Sequence, residues 1–303
     1  MSPIKTVTVA GATGNVGPAV VEQLIKAGFS VTILSRPEAK HTFPTAAKVQ
    51  LVDYDSLDSL AAALQGQDAV VSTLGAAGSF KQMTLVDAAI KAGVQRFIPS
   101  EFGCNTGNPK VAGLPILGSK VEFRTALQKK IAETGGKLSY TGIINGPFFD
   151  WGMRIGWLAS LKPEGGSIGL WDGGDRVFST TTLATVGRAV VGVLQHPEET
   201  KDRLVYVQDT ALTLKQLSEK AQKALGAKGW QENSISVDAA LAEGHELLQK
   251  PDANMGAVAM CFINTAIFGE GYGAHYKQND NELLGIKDLT DDEITALIKS
   301  LSS

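Results

Sequence analysis

The alternation of two sequence patterns limits what this chain can fold into. Between Ile4 and Ile144, short runs rich in valine and isoleucine are separated by segments whose apolar residues recur every three or four positions. The first pattern predicts β-strands and the second predicts amphipathic helices. Strands that alternate with helices need crossover connections, so we predict a doubly wound α/β sheet of parallel strands buried on both faces. The candidate strands are Thr6–Ala10, Ser30–Leu34, Lys48–Val52, Ala69–Thr73, Arg96–Pro99 and Lys137–Ile144.

The alternation breaks down after Asn145. All 4 tryptophans lie beyond this point, among irregular segments that contain glycine. Leu183–Leu194 has a strong helical pattern, and the strand-like run Arg203–Val207 is a candidate to rejoin the sheet. The predicted organisation is a first domain over 1–150, rejoined by 178–210, and a smaller, interrupted lobe over 151–177 and 211–303.

Composition excludes several classes of protein. The 28 Lys and Arg residues against 31 Asp and Glu residues leave a net charge of −3, so no overall positive field favours nucleic acid. The 2 cysteines, Cys104 and Cys261, are far apart and lack metal-ligand spacing, so we predict neither a disulfide framework nor a metal site. The sequence shows no secretory signal and no apolar stretch of membrane-spanning length. We expect a cytoplasmic monomer or homodimer without a membrane partner.

A glycine-rich loop joins the first candidate strand to the first candidate helix. It reads Gly11-Ala12-Thr13-Gly14-Asn15-Val16-Gly17, a GxxGxxG spacing. At such a junction, backbone N–H groups approach a pyrophosphate, and the helix N-terminus adds its positive dipole end. We therefore predict a Rossmann fold that binds a dinucleotide, the alternative being a purely structural turn. The predicted contacts in the loop are Gly11, Thr13, Gly14, Asn15, Val16 and Gly17.

The end of the second candidate strand selects the cofactor. Ser35 and Arg36 lie there, about 20 residues past the loop, where an acidic residue accepts hydrogen bonds from the ribose of NAD. An arginine at this position neutralises the 2′-phosphate of NADP instead. Arg36 therefore favours NADP(H), unless it is an ordinary solvated surface residue.

Further candidate contacts follow from the rule that ligands lie beyond the carboxyl ends of parallel strands. For each of them, a role as an ordinary loop or core residue is the alternative. The candidates on the adenosine side are Asp53, Tyr54, Thr73, Leu74 and Gly75. Those on the nicotinamide side are Ser100, Glu101, Phe102, Asn145, Pro147 and Phe148. For Glu101 we favour anchoring of the loop over general acid–base catalysis.

Several of these motifs together resemble one known family. GATGNVG, the Ser35-Arg36 strand end, a helix opening at Gln82 and above all the block FIPSEFG resemble the isoflavone reductase-like and NmrA-like branch of the atypical short-chain dehydrogenases. The similarity extends over roughly Val7 to Pro197. One departure is Thr185, where the family commonly has an acidic residue.

The resemblance implies NADPH-dependent reduction of a small aromatic or enone-type substrate. It also implies a catalytic lysine, which maps onto Lys120 at the start of the helix after PSEFG. From the residues alone, a lysine there would reach the nicotinamide ribose and could hold or relay a proton. Ile116 stands where the YxxxK motif of ordinary short-chain dehydrogenases has its tyrosine. The alternative is that Lys120 is a surface lysine.

Aromatic and apolar residues of the second lobe suit a flat substrate, although most such residues in any protein belong to the core. The candidates are Phe149, Trp151, Met153, Phe262, Phe268 and Tyr272. The glycine-rich run IFGEGYGAHY predicts a mobile loop over the substrate cleft. Two other functions stay open: an NADP(H)-binding redox sensor without turnover, and an isomerase or dehydratase.

Overall fold

The computed structural model describes residues 3–162, 165–226 and 228–302. Its main feature is a 7-stranded sheet with the order β3-β2-β1-β4-β5-β6-β9, in which every pair of neighbours is parallel. The predicted doubly wound fold is confirmed. The strands are β1 (Thr6–Ala10), β2 (Ser30–Ser35), β3 (Lys48–Leu51), β4 (Ala69–Ser72), β5 (Arg96–Ile98), β6 (Ser139–Ile144) and β9 (Arg203–Tyr206).

Helices cover both faces of this sheet and build the rest of the chain. They are α1 (Gly17–Lys26), α2 (Leu57–Ala63), a 3-10 helix (Ala76–Lys81), α3 (Gln82–Ala92), α4 (Pro109–Ala112), α5 (Gly118–Glu133), α6 (Phe149–Arg154), α7 (Leu183–Gln195), α8 (Leu214–Leu225), α9 (Val237–Leu248), α10 (Met255–Phe268) and α11 (Asp291–Leu301). Within the described ranges, none of these helices has both the length and the apolar character needed to cross a membrane.

Successive strand residues serve two different cores, because side chains alternate between the faces of a sheet. Val7 and Val9 pack in a cluster that includes residues of α1 and α7. Ala10 and Val70 pack in a second cluster, which includes residues of α2, α3 and α5. Burial on both faces explains why these strands read as continuous apolar runs.

The second half of the chain builds a third hydrophobic cluster, mainly from α6 and α8–α11. Two small sheets accompany it: β7 (Ser167–Trp171) pairs with β11 (Gln231–Ile235), and β8 (Phe178–Thr180) pairs with β10 (Thr210–Leu212). Leu284, by contrast, packs with the cluster of α1 and α7. The domain division at 150, 178 and 210 stays a prediction.

One helix begins later than the sequence predicts, because a capping residue sets its first turn. The apolar spacing of Leu214, Leu217, Ala221 and Leu225 predicts a helix over Leu212–Leu225, but the helix begins at Leu214, because Thr213 and Gln216 form a capping box. Leu212 itself ends β10. The four strands of the small sheets were not predicted, since they lack the valine- and isoleucine-rich composition of the central strands.

Candidate cofactor cleft and active site

A cleft of about 830 Å³ opens at the carboxyl ends of β1 to β4. This volume lies in the usual range for small-molecule sites. Among the residues predicted to bind the cofactor, those on its wall are Gly11, Thr13, Gly14, Ser35, Arg36, Asp53, Tyr54, Thr73, Leu74 and Gly75. Several other lining residues were not predicted from the sequence, notably Phe43, Phe80 and Lys81. Phe80 and Lys81 belong to the 3-10 helix, which has no recognisable sequence signature.

The three glycines of the loop have different structural reasons. Gly11 has a φ of +87°, and a Cβ there would lie 2.7 Å from the Thr73 carbonyl carbon. A Cβ on Gly17 would collide with the Gly11 oxygen. At Gly14, however, the nearest atom to a Cβ would be the Gly11 oxygen at 3.5 Å, an ordinary contact. Packing within the protein thus requires glycine at 11 and 17 but not at 14, which faces the cleft.

Helix α1 begins directly behind this loop with polar backbone groups available. Val16 is its N-cap, and no side chain of the described residues accepts a hydrogen bond from the first turn. The unpaired N–H groups and the positive dipole end suit an anion such as a pyrophosphate. Of the other predicted contacts in the loop, Asn15 is exposed, whereas Val16 and Gly17 are buried beneath it.

Charged and polar side chains surround the adenosine end of the cleft. The Arg36 side chain is 66% exposed, and its Nε lies 3.4 Å from Glu38 Oε1. Lys81 forms an ion pair with Asp55. Tyr54 donates a hydrogen bond to the Leu34 carbonyl at 3.4 Å. Burial raises the pKa of Tyr54 to about 12, against the opposing influence of Arg36, so Tyr54 is a neutral hydrogen-bond donor at neutral pH.

Hydrogen bonds connect the strand ends of the cleft to the loop after β5. The Ser100 hydroxyl donates to the Leu74 carbonyl at 2.9 Å. The Ser100 N–H donates to Gln82 Oε1, also at 2.9 Å. The loops after β4 and β5 and the start of α3 are therefore held together, with Ser100 between them.

The loop after β6 is hydrogen-bonded to the loop after β5. The N–H groups of Asn145 and Gly146 donate to the Gly103 carbonyl at 3.3 and 3.0 Å. Asn145 Oδ1 and Tyr276 Oη are buried, and neither finds a hydrogen-bond partner among the described residues. Buried polar atoms without partners are rare and indicate a site that binds a ligand or water.

Lys120 lies in the first turn of α5, and its ammonium group donates a hydrogen bond to the Glu101 carbonyl. The side chain is half-buried. The turn into α5 contains Ile116 at a φ of +70°, and Phe102 beside Glu101 has a φ of +22°. Left-handed backbone at non-glycine residues is sparsely populated and persists where surrounding contacts hold it.

Glu101 is buried, and both of its carboxylate oxygens have protein partners. Arg124 pairs with Oε1, and the Thr106 hydroxyl donates to Oε2 at 2.9 Å. These contacts support the anchoring role over acid–base catalysis. The sequence offered one signal for the ion pair: Arg124 follows Lys120 by four residues, which places both on one face of α5.

The remaining candidates on the nicotinamide side are Phe102, Phe148 and Pro147. Phe102 is buried in the cluster of α1 and α7. Phe148 is half-buried, and its ring meets Trp151 edge to face at 6.3 Å. The Pro147 carbonyl accepts hydrogen bonds from Thr180 Oγ1 and the Thr181 N–H.

The proposed substrate-lobe residues divide into two groups. Phe149, Met153, Phe262 and Phe268 are each 3% exposed or less and pack in the third cluster. In this conformation they hold the lobe together rather than line an open surface, because apolar sequence patterns do not distinguish a core from a pocket. Trp151 and Tyr272 are half-buried. Contact of any of the six with a substrate stays a prediction.

The segment 267–276, predicted from its glycines to be a mobile loop over the substrate cleft, is hydrogen-bonded to residues 105–110. The side-chain amides of Asn105 and Asn108 donate to the carbonyls of Gly273 and Gly271, at 3.0 and 3.1 Å. Lys110 Nζ donates to the Glu270 carbonyl at 3.1 Å. These contacts attach the segment to the chain that follows PSEFG. Side-chain amides and an ammonium thus satisfy carbonyls that a free loop would expose to water.

Comparison with known proteins identifies the family to which this chain belongs. The model of the NmrA-like family matches residues 3–237. The chain belongs to the NmrA-like family. This confirms the family resemblance seen in the motifs.

Two fungal relatives match this NmrA-like chain over nearly its whole length. The oxidoreductase poxI of Penicillium oxalicum is 32% identical, with 99% of this chain and 95% of that protein covered. The oxidoreductase aprR of Aspergillus flavus is 33% identical, with 96% and 98% covered. Among solved structures, the binary complex of leucoanthocyanidin reductase and NADPH from Vitis vinifera has a TM-score of 0.77 at 18% identity. That comparison covers 97% of this chain and 99% of the reductase and shows a shared fold.

Proposed function

We propose that this NmrA-like protein is an NADPH-dependent oxidoreductase that reduces a small aromatic or enone/ketone-type substrate, with Lys120 handling the proton. One observation carries the proposal: hydrogen-bonded loops connect the cleft beside Gly14 and Arg36 to the half-buried ammonium of Lys120. The relatives named oxidoreductases and the NADPH complex of a protein of this fold support it.

The residues present fit NADP(H). The loop at Gly14 and the start of α1 would hold the pyrophosphate, and Arg36 would pair with the 2′-phosphate. Asp53, Tyr54 and the segment Thr73–Gly75 would surround the adenosine. The unpartnered Oδ1 of Asn145 would accept a hydrogen bond at the nicotinamide end. When bound, NADPH supplies the hydride.

Lys120 would act on the charge that develops in the substrate. One N–H of its ammonium is held by the Glu101 carbonyl, which fixes the position of Nζ. A second N–H would donate to the substrate oxygen on which negative charge accumulates, and the proton would then pass to it directly or through a water. A fixed donor aimed at a developing charge stabilises the transition state more than the ground state.

The first test replaces Lys120 with Met. We expect kcat for NADPH oxidation with an aromatic enone to fall about 100-fold or more, a size typical of general acid–base catalysis. The NADPH dissociation constant, measured by calorimetry, should change less than about twofold. Lys129→Met is the matched control, since Lys129 is an exposed lysine on the same helix.

Two results would contradict parts of this proposal. A fully active Lys120→Met variant removes Lys120 from the mechanism. Tight NADPH binding without oxidation by any enone or ketone favours the redox-sensor alternative.

A further inference from the structure

We propose that Arg124 is a positioning residue for Lys120: it keeps the Glu101 carboxylate paired, so that the Lys120 ammonium binds only the carbonyl oxygen of Glu101. This inference rests on the proposed role of Lys120. It concerns two cations of one helix that share one acidic residue but contact different groups of it.

The contacts of Arg124 form a closed network. Its Nη1 binds Glu101 Oε1 and donates to Thr106 Oγ1 at 2.8 Å, and its Nη2 donates to the Thr106 carbonyl at 3.0 Å. The Thr106 hydroxyl in turn donates to Glu101 Oε2. The planar guanidinium, with its fixed fork of donors, suits this arrangement, which a lysine could not reproduce.

The Arg124–Glu101 ion pair is buried, so the loss of either partner is costly. The side chain of Glu101 is 3% exposed and that of Arg124 is 11% exposed. Removing one partner of a buried ion pair leaves an uncompensated charge, which recruits any cation within reach. The Lys120 ammonium already contacts the backbone of Glu101, so it is the cation placed to respond. Without Arg124, we therefore expect Lys120 to leave the carbonyl and pair with the carboxylate.

Two non-glycine residues with positive φ angles lie near this network in the sequence. Phe102, which follows Glu101, and Ile116, which precedes α5, both have positive φ angles. Arg124 connects α5 to Glu101 and Thr106 of the segment that follows β5. Backbone of this kind is found where the surroundings over-determine it, and on the side of Phe102 the ion pair of Arg124 with the adjacent Glu101 is one such contact.

Competitive acetylation of lysines, quantified by mass spectrometry, tests the proposal without turnover. Acetic anhydride reacts with free amines, so pairing of Lys120 with a carboxylate slows its labelling. In Arg124→Met, labelling of Lys120 relative to Lys129 in the same chain should fall at least about fivefold, roughly 1 kcal/mol of added protection. Adding Glu101→Gln to Arg124→Met removes the carboxylate and should restore the labelling.

Arg96→Met is the matched control. Arg96 is a second buried arginine, at the opposite end of β5, where it binds the hydroxyls of Ser139 and Thr200. Its loss should lower the melting temperature but change Lys120 labelling less than about twofold. An effect of Arg124→Met that is absent, opposite in direction, or equal to that of Arg96→Met overturns the proposal.

One further variant, together with Lys120→Met, keeps the test of the positioning role separate from the test of the proposed function. Should Arg124→Met fail to fold, Arg124→Gln retains an amide donor without the charge, and the same fall in labelling is expected. The proposed function fails if Lys120→Met remains active, whatever the labelling shows. The positioning role fails on labelling alone, whatever the activity of Lys120→Met.

Discussion

At the scale of single residues, the three glycines of the loop differ in whether packing within the protein requires them. Gly11 and Gly17 are required by close approach of the backbone, and Gly11 also by its positive φ. Gly14 has neither constraint. A pattern of three glycines therefore contains one position, Gly14, at which the contacts within the protein do not require glycine.

Gly14→Ala should weaken NADPH binding without destabilising the fold. The added methyl faces the cleft, so we expect the dissociation constant to rise about tenfold or more, while the melting temperature stays the same or rises slightly. Calorimetry and thermal unfolding measure the two effects. Gly11→Ala is the contrasting variant, and it should cost about 1–3 kcal/mol of stability because its backbone is incompatible with a side chain. Unchanged NADPH affinity in Gly14→Ala would place the pyrophosphate elsewhere.

At the scale of elements, a buried carboxylate organises the start of α7. Asp209 is 1% exposed. It accepts hydrogen bonds from the N–H and hydroxyl of Thr182, at 2.6 and 2.7 Å, and from the hydroxyl of Thr185. Thr182 is the N-cap of α7. The carboxylate at the start of α7 thus comes from Asp209, in the chain after β9. Position 185, where the family resemblance leads us to expect an acid, holds a threonine that donates to it.

Asp209→Ala should destabilise the protein by about 2 kcal/mol, because it leaves the buried hydroxyl of Thr185 and two half-buried donors of Thr182 without their acceptor. Urea unfolding measures the change. NADPH affinity should remain within about twofold, since Asp209 is absent from the cleft wall. A loss of stability below about 0.5 kcal/mol would mean that other groups satisfy these donors.

Much of the central sheet could be predicted because its signals are local. β1 runs from Thr6 to Ala10 and α3 opens at Gln82, both as predicted, since periodicity and composition decide them. The contacts that define the site are not local. Arg124 and Glu101 are 23 residues apart, and Asn105 reaches Gly273 across 168 residues. The spacing of Lys120 and Arg124 places both on one face of α5 but does not identify Glu101 as the partner of Arg124, and no pattern pairs Asn105 with Gly273. The sequence therefore predicted that Glu101 anchors the loop but not which residues hold it.

At the scale of the whole molecule, buried phenols link stability to alkaline pH. Burial raises the pKa of four of the 5 tyrosines: Tyr54 to about 12, Tyr276 well above its usual value, and Tyr140 and Tyr206 upward. Unfolded tyrosines titrate near pH 10. A pKa that is higher in the folded state contributes stability below pH 10, and this contribution is lost as pH rises further.

Burial also raises the pKa of the Cys104 thiol to about 11. The urea midpoint should therefore begin to fall near pH 9 and fall steeply between about pH 10 and 12. Arg96 acts in the opposite sense, because burial lowers its pKa to about 10. One arginine does not outweigh four tyrosines, so the free energy of unfolding still decreases as the pH rises. A midpoint that is constant or rises up to pH 11.5 would contradict the burial of the phenols.

Calorimetric titration with NADPH and NADH, on the unaltered protein and on Arg36→Ala, tests the central claim most directly. We expect NADPH to bind the unaltered protein at least about tenfold more tightly than NADH, a difference of about 1.4 kcal/mol. Arg36→Ala should remove that preference by weakening NADPH binding, while the affinity for NADH changes less than about twofold. Failure of both nucleotides to bind would reduce the glycine loop to a structural turn. Equal binding of both would contradict the role of Arg36.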